Sequence, residues 1–159
     1  MIRQHTQLFE AGTSAIDITP PLGTLMNGDF LPRYARFIHD PLFAKVLVCK
    51  NQTTTIVIVV VDICAMQKDL VDRIKKEIVT QSGIPENNIL ISSTHTHAAG
   101  SVTDLLLSPV DFPYWKRLPG LIVKAVIQAI KEMQPAQIAF GSVDAPEHIV
   151  CWRYFMKNG

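Results

Sequence analysis

Thr53-Thr-Thr-Ile-Val-Ile-Val-Val-Val-Asp-Ile-Cys64 and Ile89-Leu-Ile-Ser-Ser-Thr-His-Thr-His-Ala-Ala-Gly100, with the segment that joins them, decide how this chain folds. Each begins as a short β-branched apolar run, the pattern of a buried strand. Between them, Leu70, Val71, Ile74 and Ile78 form a helical stripe on Gln67–Ser82, and Gly83 stops the helix. Asp69/Arg73 and Asp72/Lys76 fall at i,i+4 spacing on its solvent side. Strand, helix, strand over Thr53–Gly100 predicts a parallel βαβ unit with a right-handed crossover. Ile56–Val61 is apolar on both alternating faces, which predicts an interior strand covered on both sides.

Upstream, Leu8–Ile18 is strand-like, and Thr19-Pro20-Pro21-Leu22-Gly23 ends it because proline cannot donate to a ladder. Thr24–Asp40 has no clear period; a loop of that length in a compact domain is a candidate wall of a site. Pro41–Lys50 is a strand expected to pair antiparallel with Thr53–Cys64 through a two-residue turn at Asn51-Gln52.

Downstream, Ser101–Lys116 reads as irregular, with Tyr114 and Trp115 either lining a pocket or covering the core. A second helix is expected over Leu118–Met133, Pro119 in its first turn and Pro135 after its end. Ala136–Val143 and Ile149–Met156 read as further strands, and Lys157-Asn158-Gly159 as a hairpin turn. The expectation is an α/β fold: a mixed β-sheet with packed helices in a single domain spanning residues 1–159, truncated at its C-terminal end.

Composition narrows the function. With 48% hydrophobic and 18% charged residues the chain is globular, and 15 basic against 14 acidic residues leave no footprint for nucleic acid or an anionic membrane surface. A small or neutral partner is expected. Cys49, Cys64 and Cys151 lie in or beside apolar runs and read as buried free thiols, not as a disulfide framework. No apolar run is long enough to span a bilayer, and the start Met-Ile-Arg-Gln-His-Thr-Gln has no signal core. The expected compartment is therefore cytoplasmic, or secreted or periplasmic if the true start lies upstream; oligomeric state is not legible.

His95 and His97 carry the chemistry. In an extended backbone, residues i and i+2 project to one face, so both imidazoles are expected to point into one cleft at the strand's C-terminal edge. Neutral imidazoles are zinc ligands, yet a catalytic zinc normally takes three protein ligands plus water, and only five histidines occur. Structural, hydrogen-bonded histidines are the alternative. Asp62 reads as a ligand, an orienter of an imidazole, or a turn cap. Ser92, Ser93 and Thr94 lack a Gly-x-Ser-x-Gly elbow and read as small packing residues, and no Walker loop, Gly-x-Gly-x-x-Gly or Cys-x-x-Cys is present.

Five blocks share an order with a known family: Ala11-Gly-Thr-Ser-Ala-Ile-Asp-Ile-Thr-Pro-Pro-Leu-Gly23, Met26-Asn-Gly28, His39-Asp-Pro-Leu-Phe-Ala-Lys45, Val61-Asp-Ile-Cys64 and Gly83 through His97. Together they resemble the N-terminal domain of the neutral/alkaline non-lysosomal ceramidases. The resemblance implies a zinc-dependent hydrolase that cleaves the N-acyl amide of a ceramide-like lipid to sphingoid base and fatty acid. It implies His95 as a metal ligand to one Zn2+, His97 as the catalytic residue that hydrogen-bonds substrate beside the metal, and Gly28 as a backbone contact to substrate. The family's other ligands, a histidine, a glutamate and a tyrosine, would follow Gly159. Two departures stand out: Ala98-Ala99-Gly100 replaces the family's Ser-Gly-Pro, and Cys151-Trp152 precedes Arg153 where relatives carry Asn-Arg, so Arg153 is a substrate-binding candidate by proximity. The alternatives are a non-catalytic ceramidase-like interaction module and, further off, a TIM-barrel amidohydrolase, in which His-x-His usually follows the first barrel strand.

Overall fold

The computed structural model describes residues 9–148 and 156–157. Its main sheet has five strands: β1 (Glu10–Asp17), β4 (Phe43–Lys50), β5 (Thr55–Val61), β6 (Ile89–Ser93) and β7 (Gln134–Pro135), in spatial order β6-β5-β4-β1-β7. β2 (Leu25–Met26) and β3 (Arg33–Tyr34) form a separate small hairpin within the long loop after β1. The helices are α1 (Lys68–Ser82) and α2 (Phe112–Lys131).

The expected parallel pairing with a helix between the two strands holds. β5 and β6 pair in parallel from Val57↔Ile89 to Val61↔Ser93, with α1 as the crossover. Gly83 caps α1 in the left-handed region at φ 71° and donates its N–H to Val79. On the solvent side Asp72 pairs backward with Lys68 in place of Lys76, and Arg73 lies 5.2 Å over the Trp115 ring in place of meeting Asp69.

One face of the sheet carries the core. Val46 and Val48 on β4 and Val57, Val59 and Val61 on β5 pack with Leu70, Ile74 and Ile78 of α1 and Leu118, Ile122 and Val126 of α2. The opposite face is not covered among the described residues: Leu47, Ile56 and Leu90 stand 37%, 40% and 58% exposed. The expectation that Ile56–Val61 is covered on both sides is thus corrected, because both helices lie on the same side.

Other boundaries moved for local reasons. The β4–β5 hairpin pairs Lys50 with Thr55, so its loop is 51–54 and not a two-residue turn. Asn51 Oδ1 accepts from the backbone N–H groups of Thr53 and Thr54, an Asx turn that takes up the extra residues. α2 begins six residues before the expected Leu118, because Asp111 caps it by accepting from the Tyr114 N–H at 3.1 Å and Pro113 fits the first turn. Pro119 consequently lies inside the helix.

The strand expected over Ala136–Val143 is absent. Only Gln134 and Pro135 pair, with Ala11 and Glu10, after which Ile138, Phe140 and Val143 stay exposed. A strand needs a ladder partner, and past Ala136 none of the described residues supplies one. The expected strand at Ile149–Met156 and the turn at 157–159 lie outside the described residues, apart from Met156 and Lys157.

Candidate metal and substrate site

The site is built where β5 and β6 end side by side, at the carboxyl edge of the parallel pair, which is where open α/β sheets bind ligands. Two backbone bonds stitch the exits together: Thr94 N–H donates to Val61 and His95 N–H to Ile63, each at 3.0 Å. The strand stops at Ser93 and His95 sits at φ 64°, in the left-handed region. Extended geometry is therefore not what brings the histidines together. The turn does so, setting the two rings edge to face with centroids 5.1 Å apart. Left-handed backbone at a non-glycine residue costs on the order of 1–3 kcal/mol and persists only where the surroundings over-determine it.

His95 Nδ1 lies 2.9 Å from the Cys64 carbonyl oxygen. A carbonyl can only accept, so the proton resides on Nδ1 and Nε2 keeps its lone pair. That arrangement matches the way metal-binding histidines are commonly oriented. Cys64 Sγ lies 3.7 Å from the same Nδ1, and one ring nitrogen of each histidine and this sulfur all fall within 4.8 Å of one another. The donors are of the type zinc takes, and their spacing is within a small side-chain adjustment of a shared ion at about 2.0–2.3 Å from each. Cys64 is buried, and burial, reinforced by the charge of Asp29, pushes its thiol above the ordinary value.

The β2–β3 hairpin holds the turn from the other side. Asn27 N–H donates to Ala99, Ser101 N–H to Leu25, and the buried Asn27 amide nitrogen to Ser101 Oγ and the Thr103 carbonyl, both at 2.9 Å. Gly28, at φ 101°, lies directly against the His97 ring. Arg33 donates through Nη2 to the His97 carbonyl at 2.8 Å while its guanidinium also engages Asp29. The long loop is therefore a wall of the site, as expected. It also borders a groove of about 730 Å³ whose lining includes Met26, Tyr34, Phe37 and Ile38, with Thr96 and Ala98 of the histidine turn at its edge.

The remaining candidates separate clearly. Asp62 is a cap: Oδ2 accepts from Phe43 N–H at 2.9 Å, and its own N–H donates back to Phe43. Ser92 Oγ donates across to the Val59 carbonyl on β5 at 3.4 Å. Tyr114 is in the core with its hydroxyl donating to Ile18, and Trp115 lies under Arg73, so these aromatics cover the core and do not line the groove. Arg153 and Cys151 lie outside the described residues. In the sequence Cys64 reads as a buried free thiol; its place just past the strand paired with β6 is the signal that points to the site.

The chain is a mixed α/β domain that presents imidazole and thiol donors at the carboxyl end of a parallel strand pair. The chain belongs, more narrowly, to the family described as neutral/alkaline non-lysosomal ceramidase, N-terminal, whose profile matches residues 9–150. No curated protein matches it in sequence. Among solved structures it is similar to the neutral ceramidase of Pseudomonas aeruginosa, with a TM-score of 0.69 at 18% identity over 81% of this chain and 22% of that one. It is also similar to a structure described as a ceramidase complexed with C2, with a TM-score of 0.71 at 18% identity and the same coverages. The chain thus spans about a fifth of the length of the ceramidases it matches, and at this identity the likeness is one of fold.

Proposed function

We propose that this chain is the N-terminal, site-bearing part of a zinc-dependent hydrolase that cleaves an N-acyl amide, a ceramide-like lipid yielding a sphingoid base and a fatty acid. The observation that carries the proposal is the convergence of His95 and His97, with Nδ1 of His95 committed to the Cys64 carbonyl, which leaves the Nε2 lone pair to bind a metal. His95 holds the metal and His97 hydrogen-bonds the amide carbonyl of the substrate. Gly28, which has no side chain to intervene, offers its backbone to the head group. Arg153 is the further substrate contact, and the remaining ligands come from residues beyond this chain.

Held by His95, zinc would supply Lewis-acid polarisation of the amide carbonyl and activation of water. The chain's own part is to orient. Arg33 fixes the peptide of His97, the Asn27 network fixes the turn beneath it, and the groove offers apolar surface to an acyl or sphingoid chain. No described helix is long and apolar enough to cross a membrane.

The test is a longer protein that continues past Gly159, assayed on an N-acyl sphingoid base with and without added zinc. The expected result is about one zinc per chain, hydrolysis that chelation abolishes, and loss of both in His95→Ala. A longer protein that binds no metal and hydrolyses no N-acyl amide overturns the proposal and leaves a non-catalytic module, the reading that the Ala98-Ala99-Gly100 turn favours.

A further inference from the structure

We infer that Cys64 is itself a metal ligand, so that Cys64, His95 and His97 form a three-donor site for a thiophilic divalent cation within this chain alone. The inference rests on the metal reading above and adds a sulfur to it. Among the described residues these are the one group of three or more histidine, cysteine or carboxylate side chains whose ligand atoms lie close enough to share an ion.

Rigidity argues for it first. Cys64 and His95 follow adjacent parallel strands, and three hydrogen bonds join the exits: Thr94 to Val61, His95 to Ile63, and the His95 ring to the Cys64 carbonyl. Cys64 and His95 are consequently held at a fixed separation by backbone, which is how a scaffold presets a ligand pair. His97 lies directly against Gly28 and is tethered through its carbonyl to Arg33.

The chemistry of the sulfur argues next. A buried cysteine serving only as core would face aliphatic side chains, whereas Cys64 Sγ lies 3.7 Å from His95 Nδ1, the nitrogen that donates to the Cys64 carbonyl, and reaches an ion held on Nε2 of the same ring by rotation about its own Cα–Cβ bond. A donor set of one thiolate and two imidazoles selects zinc, cobalt or cadmium over magnesium and calcium, which take oxygen ligands. In the chain by itself His97 serves as the third donor; its contact with substrate belongs to the site completed by further ligands.

Cobalt(II) titration of the reduced full chain tests this, because a cobalt-bound thiolate gives a near-ultraviolet charge-transfer band that imidazole ligands do not. The expected result is one cobalt per chain with that band and the intense visible bands of a tetrahedral site. Stoichiometric zinc displaces the cobalt; excess magnesium or calcium does not. Cys64→Ser loses the near-ultraviolet band and binds at least about tenfold more weakly, while Cys49→Ser and Cys151→Ser keep both. X-ray absorption at the cobalt edge of the unmutated chain gives an independent reading, a sulfur scatterer at about 2.3 Å.

Cobalt bound without the charge-transfer band or the sulfur scatterer overturns the role of Cys64 and leaves His95 as a ligand. A band that survives in Cys64→Ser overturns it equally. No cobalt retained by the unmutated chain on equilibrium dialysis overturns the one-chain site, while the longer protein's zinc content, measured separately, still decides the hydrolase reading.

Discussion

A Cβ placed on Gly28 would lie 2.6 Å from Cγ of His97, closer than two carbons can approach. The small hairpin and the histidine turn therefore meet through the absence of a side chain. Gly28→Ala is expected to push the His97 ring out of place and to add the cost of φ 101° in a non-glycine residue, on the order of 1–3 kcal/mol. Thermal unfolding should report a drop of that size, and cobalt affinity should fall at least tenfold. Unchanged metal binding would place His97 outside the donor set.

Asp62 gives the contrasting case. Its carboxylate serves Phe43 N–H and not the histidines. Asp62→Ala should lose a charge-assisted hydrogen bond, about 1.5–3 kcal/mol by denaturant unfolding, with metal affinity unchanged within about twofold. A large loss of metal with little loss of stability would return Asp62 to the site.

Two glycines separate crowding from backbone strain. At Gly12 a Cβ would fall 2.0 Å from the Ala129 carbonyl oxygen, where β1 meets α2, while at Gly83 it would meet nothing and only φ 71° opposes it. Gly83→Ala should cost about 1–2 kcal/mol. Gly12→Ala should cost about 3 kcal/mol or more, enough that soluble expression itself is expected to fall. Urea titration of the pair checks the order.

Tyr114 sets the alkaline limit. Burial pushes its phenol far above the ordinary 10.0, with the charges of Asp17 and Asp62 acting in the same direction and Arg117 opposing. The folded state keeps the proton while the unfolded chain loses it above pH 10, so stability present below that value is lost as pH rises. The slope approaches about 1.4 kcal/mol per pH unit for this group. Tyr114→Phe should flatten that limb. At neutral pH it should cost about 1–3 kcal/mol, because the Ile18 carbonyl loses its donor.

Arg33 distinguishes orientation from stability. Its side chain is 51% exposed, so removing it should change unfolding free energy by no more than about 0.5 kcal/mol. The His97 peptide, however, loses its tether. Arg33→Ala is expected to weaken cobalt binding several-fold, Arg33→Lys to recover part of it, and the visible band shape to report the changed geometry.

Local pattern alone determined a good deal. The parallel unit was legible because β-branched runs, a 3.6-residue stripe and Gly83 all agree along the chain, and the antiparallel β4–β5 pair and the place of His95 and His97 at a strand end followed from the same pattern. What periodicity cannot report is which surfaces meet. The apolar far face of Ile56–Val61 predicted a cover that neither helix supplies, and Ala136–Val143 was strand-like in composition yet finds no ladder partner among the described residues. Tertiary structure alone decided that the imidazoles converge through a left-handed turn and not an extended strand. It also decided that Asp62 caps and that Cys64 faces His95. Those facts depend on hydrogen bonds between residues far apart along the chain, Asp62 with Phe43, His95 with Ile63 and Cys64, and Thr94 with Val61, and no spacing along the chain encodes them.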